Sequence, residues 1–363
     1  MNVVIFGLTI SSSWGNGHAT LWRGLCKALG RDGHHVTFFE RDLPYYAMNR
    51  DFYEIPGGEL VFYSDWADVR QTATRALADA DVTIVTSYCP DAVAASALML
   101  SHSRALNVFY DLDTPITLSH LQRGDAVPYL SERELRDFDL VLSYTGGAAL
   151  DALRTKLGAR RVAPLYGHVD PDTHRPCPPA THYRCDLSYM GTFSADRQNG
   201  LVAFLVDSAR ARPQLRFLIG GAQYPQDFPW NPNIYFVRHL PPDEHSAFFC
   251  SSRLTLNVTR KPMAEMGWCP SGRLFEAAAT GTAVLSDEWE GLHAFFTPGE
   301  EVFVARDHED ALAILDLPEE EIRRVARAAK ERTLDEHTSA HRARELIGLL
   351  ERARRPAPQM AGA

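Results

Sequence analysis

WGNGHATLWRGLCKAL (Trp14–Leu29) hands a strand over to a helix through two glycines and sets a histidine directly behind them. Upstream, NVVIFG (Asn2–Gly7) is an apolar, β-branched run that predicts a buried strand. Downstream, Leu21, Leu25, Ala28 and Leu29 recur at helical spacing, Gly33 stops the segment, and HHVTFFE (His34–Glu40) predicts the second strand. A glycine-rich strand-to-helix turn bares backbone N–H groups beside a helix N-terminus, and both favour an anion in front of the sheet.

The same alternation runs outward from this unit. Strands are predicted at Val3–Gly7, His35–Glu40, Glu59–Tyr63, Val82–Thr86, Ala105–Tyr110 and Leu140–Ser143, with helices at 17–29, 66–78, 91–100 and 147–156. PLYGHVDPDTHRPCPPATH (Pro164–His182) is too proline-rich for a central element and reads as a linker. Strands then resume at Leu187–Met190, Leu215–Gly220, Ile234–Val237, Leu254–Val258, Ala283–Ser286 and Val302–Ala305. Helices are expected at 196–211, 243–250, 271–279, 319–332 and 336–352, before a proline-bearing tail. The pattern predicts two doubly wound, Rossmann-like α/β domains facing a cleft. Residues 1–168 form the first, 169–184 the linker, 185–334 the second, and 335–355 a helix returning to the first.

Bulk composition bounds the function. The 363 residues suffice for two domains, and 45% hydrophobic with 23% charged residues is ordinary for a globular protein. The formal net charge is −9 and neither half is basic, which argues against a nucleic-acid groove or a polybasic membrane patch. Six cysteines (Cys26, Cys89, Cys177, Cys185, Cys250, Cys269) form no CxxC pair and no metal-ligand spacing. With no apolar run of membrane-spanning length and no basic leader, the expectation is a cytoplasmic protein with reduced thiols.

GHATLWRGLCKALGRDGHHVTF (Gly17–Phe38) resembles the opening of GT-B glycosyltransferases, and SGRLFEAAATGTAVLSDEWEGLHAFFTPGEEVFVA (Ser271–Ala305) resembles the donor half of the group-1 enzymes. Taken whole, with SSSWGNGHAT, ERDLPYYAMNRD, FYDLDTPITL, MGTFSADRQ, HLPPDEHSAFFC, LNVTR and EHTSAHRA, the chain is similar to CgeB-like glycosyltransferases. That resemblance implies a GT-B fold whose second domain binds a nucleotide-diphosphate sugar, with a UDP-sugar as donor and no cofactor or metal required. The acceptor, a saccharide, small molecule or protein, is not identified, and neither is the oligomeric state.

The residue types suit that chemistry. A helix opening at Ser271 and Gly272 offers unpaired N–H groups, and Arg273 in its first turn adds a fixed charge for a diphosphate. Glu276, one turn on, matches the glutamate that the resemblance assigns to the ribose hydroxyls, and Leu274 belongs to the same stretch. Gly191, Thr192 and Arg197 follow a strand in YMGTFSADR, and Arg260 follows LTLNV; each is a candidate for the donor's phosphates, as are Gly15 and Gly17 in the first turn. A solvated, capped helix and surface arginines are the plain alternative.

His18 takes the position of the base that removes the acceptor's proton in inverting relatives, and an imidazole suits that task at neutral pH. Asp111 and Asp113 in FYDLDTP follow a strand and emerge at the same sheet edge, where either can orient the histidine. Two other readings compete: a DxD metal motif, or Asp113 as the N-cap of a helix opening at Thr114–Pro115. Retaining group-1 enzymes carry a glutamate eight residues before the Glu276 equivalent. Here Trp268 stands there and Glu265 is out of register, which favours inversion; retention of the group-1 type stays the alternative, with Glu265 brought in by a loop or the donor's own phosphate as base. Aromatic residues Trp14, Trp22, Tyr45, Tyr46, Trp66 and Tyr110 are candidates for acceptor stacking or for core packing. A sugar-nucleotide epimerase or hydrolase and a non-catalytic nucleotide-sugar-binding protein are the competing functions. FGLTISSSWGNG lacks the GxGxxG of a nicotinamide enzyme.

Overall fold

The computed structural model describes residues 1–102 and 104–354. Seven strands make the first sheet: β1 (Asn2–Gly7), β2 (His35–Arg41), β3 (Glu59–Tyr63), β4 (Val82–Thr86), β5 (Leu106–Asp111), β6 (Leu140–Ser143) and β7 (Val162–Pro164), in the order β3-β2-β1-β4-β5-β6-β7. All neighbours pair in parallel. Alternate residues of β1 go to opposite faces: Val3 and Ile5 join one buried cluster, Val4 and Phe6 the other. Burial on both faces accounts for the unbroken apolar run in its sequence.

The second sheet repeats the plan with β8 (Cys185–Met190), β9 (Phe217–Gly221), β10 (Ile234–Arg238), β11 (Ser252–Asn257), β12 (Ala283–Asp287) and β13 (Phe303–Ala305), in the order β10-β9-β8-β11-β12-β13, again all parallel. Each sheet reverses its strand order beside its first strand, between β1 and β4 and between β8 and β11. These are the topological switch points, where open parallel sheets leave a crevice at the carboxyl ends of their strands.

The final helix, Ser339–Arg354, seats Ala343, Leu346 and Leu350 in the first domain's cluster beside Leu25 and Leu29. Its close approach requires Gly24: a Cβ there would lie 2.3 Å from Ser339 Oγ. Arg342 Nη2 donates to the Gly167 carbonyl at 3.1 Å near the start of this helix, and Arg354 pairs with Asp81 at 3.2 Å at its end, so the crossing is fixed at both ends.

The structure differs from the sequence reading in three places. The stretch 196–211 is not one helix: a 3-10 turn at Ala195–Arg197 leads into a short α segment, a π-helical stretch at Val202–Val206 and a final α turn. Helices at Lys261–Met266 and His308–Leu315 add to those expected, while the helix that one reading of Asp113 has opening at Thr114–Pro115 is present as Thr114–Gln122. The proline-rich stretch begins inside β7, whose Pro164 is tolerated because β7 is an edge strand. The expected proline-bearing tail and residue 355 lie outside the described residues.

Candidate functional site

The loop after β1 is built around one buried carboxylate. Glu40, at the end of β2 and fully buried, accepts from Thr9 Oγ1 and Ile10 N at 2.8 Å, Ser11 N at 3.0 Å and Ser11 Oγ at 2.5 Å. Those bonds curl the chain over the sheet edge. Gly15 then takes φ +62°, and Asn16 Oδ1 caps the first helix (His18–Arg31) by accepting from His18 N at 3.1 Å. Gly17 is the N-cap residue and leaves open space where a Cβ would stand. Glu40→Ala strands two buried N–H groups, so it is expected to lower stability by about 2–4 kcal/mol, read from denaturant unfolding.

His18 therefore sits at the first sheet's switch point, its side chain a quarter exposed. Its Nδ1 is buried without a partner, and Nε2 lies 3.8 Å from Asp113 Oδ2. Asp113 occupies the N-cap position of the helix Thr114–Gln122 but makes no side-chain cap; its Oδ2 instead accepts from Tyr88 Oη at 2.9 Å. Burial pushes the Asp113 carboxyl up, but the nearby His18 imidazole, the Arg260 charge and the hydrogen bond from Tyr88 outweigh it and hold the group below the usual carboxylate range.

Asp111 does not share that position. It is fully buried beneath Asp113, its Oδ1 accepting from Asp113 N at 3.2 Å and Thr117 Oγ1 at 3.1 Å. The two carboxylates thus point to different surroundings rather than to one ion. Burial pushes the Asp111 carboxyl up to about 6. Unfolded, an aspartate releases its proton near pH ~3.9, so this group opposes folding increasingly as pH rises from about 4 to about 6. Asp111→Asn is expected to gain on the order of 1–3 kcal/mol over the native chain at pH 7, and nothing at pH ~4. Urea unfolding at the two pH values measures it.

The opposite wall comes from the second domain. Ser271 caps the helix Gly272–Thr280 by accepting from Arg273 N. Arg273 reaches back: Nε donates to the Met190 carbonyl, Nη1 donates to Asn257 Oδ1 at 2.9 Å, and its guanidinium lies 4.8 Å from the centre of the Tyr189 ring. Arg197 Nη1 donates to Tyr189 Oη at 2.9 Å, while its Nε is buried without a partner. Burial pushes the Tyr189 phenol up, but the two guanidinium charges outweigh it and hold it below the ordinary tyrosine value. Gly191 is required here, since a Cβ would stand 2.8 Å from both Arg273 Nη2 and Tyr189 Oη. Arg260 is less available: its Nε donates to Asp196 Oδ2 at 2.8 Å.

Glu276 is buried one turn beyond Arg273, and its Oε1 accepts at 3.1 Å from Thr20 Oγ1 on the first domain's opening helix. Leu274 turns its side chain away from the cleft: the helical step from Arg273 carries it into the second domain's core with Phe275 and Ala277.

Between these walls lies a cavity of about 440 Å³, within the size range of small-molecule sites. Gly15, Gly17, His18 and Asp113 line it from one side. Gly191, Thr192, Arg197, Arg260, Ser271, Gly272, Arg273 and Glu276 line it from the other. Asp111 and the Leu274 side chain stand back from it. Thr20, Tyr88 and Tyr189 were not singled out by the sequence reading for this site, because their roles depend on partners far along the chain. Of the aromatic candidates, Tyr46 lines the cavity and Trp14 packs on His239 with ring centres 4.3 Å apart. Trp22 and Tyr110 are core residues. Glu265 is exposed on the helix Lys261–Met266, 3.8 Å from Lys261 Nζ, and does not reach the cavity. Trp268 turns its ring against Gly147 and Gly291.

Residues 197–348 match the family model described as glycosyl transferase-like. No curated protein sequence matches the chain. Among solved structures, the sucrose-phosphate synthase (tll1590) from Thermosynechococcus elongatus is similar, with a TM-score of 0.69, 13% identity, and coverage of 97% of this chain and 99% of that one. So is Anabaena Alr3699/HepE in complex with UDP-glucose, at TM-score 0.68 and 14% identity over 96% of this chain and 99% of that one. An alpha-glucosyltransferase in complex with UDP-glucose and abasic DNA aligns at TM-score 0.68 and 12% identity over 96% and 99%. Residues 197–348 are thus similar to a glycosyl transferase-like family, and the chain has the GT-B fold of two parallel-sheet, Rossmann-like domains.

Proposed function

We propose that the cleft is the reaction site of a metal-independent glycosyltransferase that takes its sugar from a UDP-sugar. The observation that carries this reading is the division of labour across one cavity. Arg197, Arg273 and a helix N-terminus face a histidine–carboxylate pair, with Glu276 one helical turn beyond the arginines. The arginines and the helix opening at Ser271 suit a diphosphate and the charge that grows on it as it leaves. Glu276 suits the vicinal hydroxyls of a ribose, each donating to a carboxylate oxygen.

In the reaction, the acceptor hydroxyl oxygen bonds to the anomeric carbon while the bond from that carbon to the diphosphate oxygen breaks. UDP departs with the bonding electrons, and His18 takes the hydroxyl proton. The resulting imidazolium rests 3.8 Å from ionised Asp113. Direct attack inverts the anomeric centre. Retention would use either a carboxylate at the reacting carbon, against which the exposed position of Glu265 weighs, or the departing phosphate itself as the base. Among the described residues no helix is long and apolar enough to cross a membrane, and all six cysteines are free, which suits a reducing, cytoplasmic setting.

The test is UDP release from a panel of UDP-sugars, with saccharides, small molecules and proteins offered as acceptors in chelator-containing buffer. The anomeric configuration of the product is read by NMR. Turnover that needs added metal would overturn the metal-independent reading, and a product retaining the donor's configuration would overturn inversion. Full activity in Glu276→Ala would remove the ribose assignment.

A further inference from the structure

A buried group of side chains behind the donor wall has metal-ligating chemistry that the proposed transfer reaction does not use. His174 comes from the segment between the sheets, His245 from the helix Pro242–Cys250, and Glu276 from the helix Gly272–Thr280. All three are buried, and one ligand atom from each lies within 4.8 Å of the other two. His174 Nε2 stands 3.2 Å from His245 Nδ1 and 3.8 Å from Glu276 Oε1.

The outer contacts orient these groups. His245 Nε2 lies 3.1 Å from the Leu240 carbonyl oxygen. A carbonyl can only accept, so the ring proton sits on Nε2 and the Nδ1 lone pair faces His174. Metal-ligating imidazoles are held in this way by a carbonyl on the far nitrogen. His174 Nδ1 is buried with no partner, so its ring can shift a proton from Nε2 to Nδ1 without breaking a bond there.

We propose that His174, His245 and Glu276 form a site for a transition-metal ion of the Zn2+ class at the ribose end of the donor pocket, and that the bound ion excludes the donor. The exclusion rests on the reading of Glu276 as the ribose ligand. Two imidazoles and one carboxylate are a three-ligand zinc set, whereas Mg2+ and Ca2+ favour all-oxygen sites. With metal–ligand distances of about 2.0–2.1 Å, tetrahedral partners stand about 3.3 Å apart, and the two imidazole nitrogens already meet that spacing. Glu276 closes the remainder by turning towards His174 and releasing Thr20. His245 and Glu276 line the donor cavity, so the fourth position opens towards it. A carboxylate bound to zinc then no longer accepts from two ribose hydroxyls.

The experiment titrates Zn2+ and Co2+ into chelator-treated full-length protein, with UDP binding measured by calorimetry on the same samples. The expected result is one equivalent of metal per chain and a Co2+ spectrum with d–d bands but no thiolate charge-transfer band. One equivalent of Zn2+ should weaken UDP binding at least ~10-fold, about 1.4 kcal/mol. His174→Gln should lose the metal and keep UDP binding, since His174 stands outside the cavity lining. His245→Gln serves as the second metal-site variant, and thermal unfolding confirms that each variant is folded. Absence of stoichiometric metal, or a thiolate band that puts the ion on cysteines, overturns the site, while UDP binding in those samples separately supports the donor reading. Metal bound at the triad with UDP affinity unchanged overturns the exclusion and the ribose role of Glu276 together.

Discussion

His18→Ala is expected to lower kcat for sugar transfer by about 10²–10⁴-fold while leaving the donor KM within a few-fold. The imidazole lies at the cleft edge of the first domain, opposite the arginines, so its removal takes a proton acceptor from the transition state and little from the bound donor. Asp113→Asn should fall in the same direction by a smaller factor, because the ring stays but loses the charge that stabilises its protonated form. Steady-state kinetics at saturating donor check both. A His18→Ala enzyme within about threefold of the native kcat would assign proton removal elsewhere, and would fit a reaction in which the departing phosphate takes the proton.

The second large effect falls on binding. Arg273→Ala is expected to weaken UDP binding by about 10–100-fold, since a charge-assisted hydrogen bond contributes about 1.5–3 kcal/mol. Its Nε and Nη1 are committed to Met190 and Asn257, which fixes the guanidinium before any ligand arrives and leaves Nη2 outside those bonds. Arg273→Lys retains charge without the planar fork, so an intermediate loss is expected. The loss should be much smaller for UMP than for UDP, because the arginines and helix opening act on the outer phosphate. Calorimetry with both nucleotides gives the ratio. Equal losses for UMP and UDP would place Arg273 away from the diphosphate.

Both the fold and the position of the cleft were legible in the sequence, for a physical reason. Parallel strands buried on both faces must be apolar throughout, so NVVIFG and its counterparts stand out against amphipathic helices. His18 and Arg273 were legible as cleft candidates because each opens a helix just after a turn signal, whereas Glu276 was singled out only by the resemblance of Ser271–Ala305 to a donor half. What was not legible depends on partners far apart in the chain. Glu40 looks like the polar end of a strand until Thr9, Ile10 and Ser11 are seen folded onto it. Tyr189 reads as a strand residue, and only the fold sets it between two arginines. Asp111 and Asp113 look equivalent in sequence, yet one ends a buried strand and the other lies beyond it at the cleft. Leu274 shared a motif with Arg273, but one helical step turned its side chain into the core. The pairing of His174 with His245 crosses 71 positions and leaves no local pattern.

The most direct measurement is calorimetric titration of UDP into the folded, chelator-treated protein. The account predicts a single site per chain, affinity not lowered by chelator, and binding clearly weaker for UMP than for UDP. Absence of saturable UDP binding, or binding that appears only when a divalent metal is restored, would contradict it.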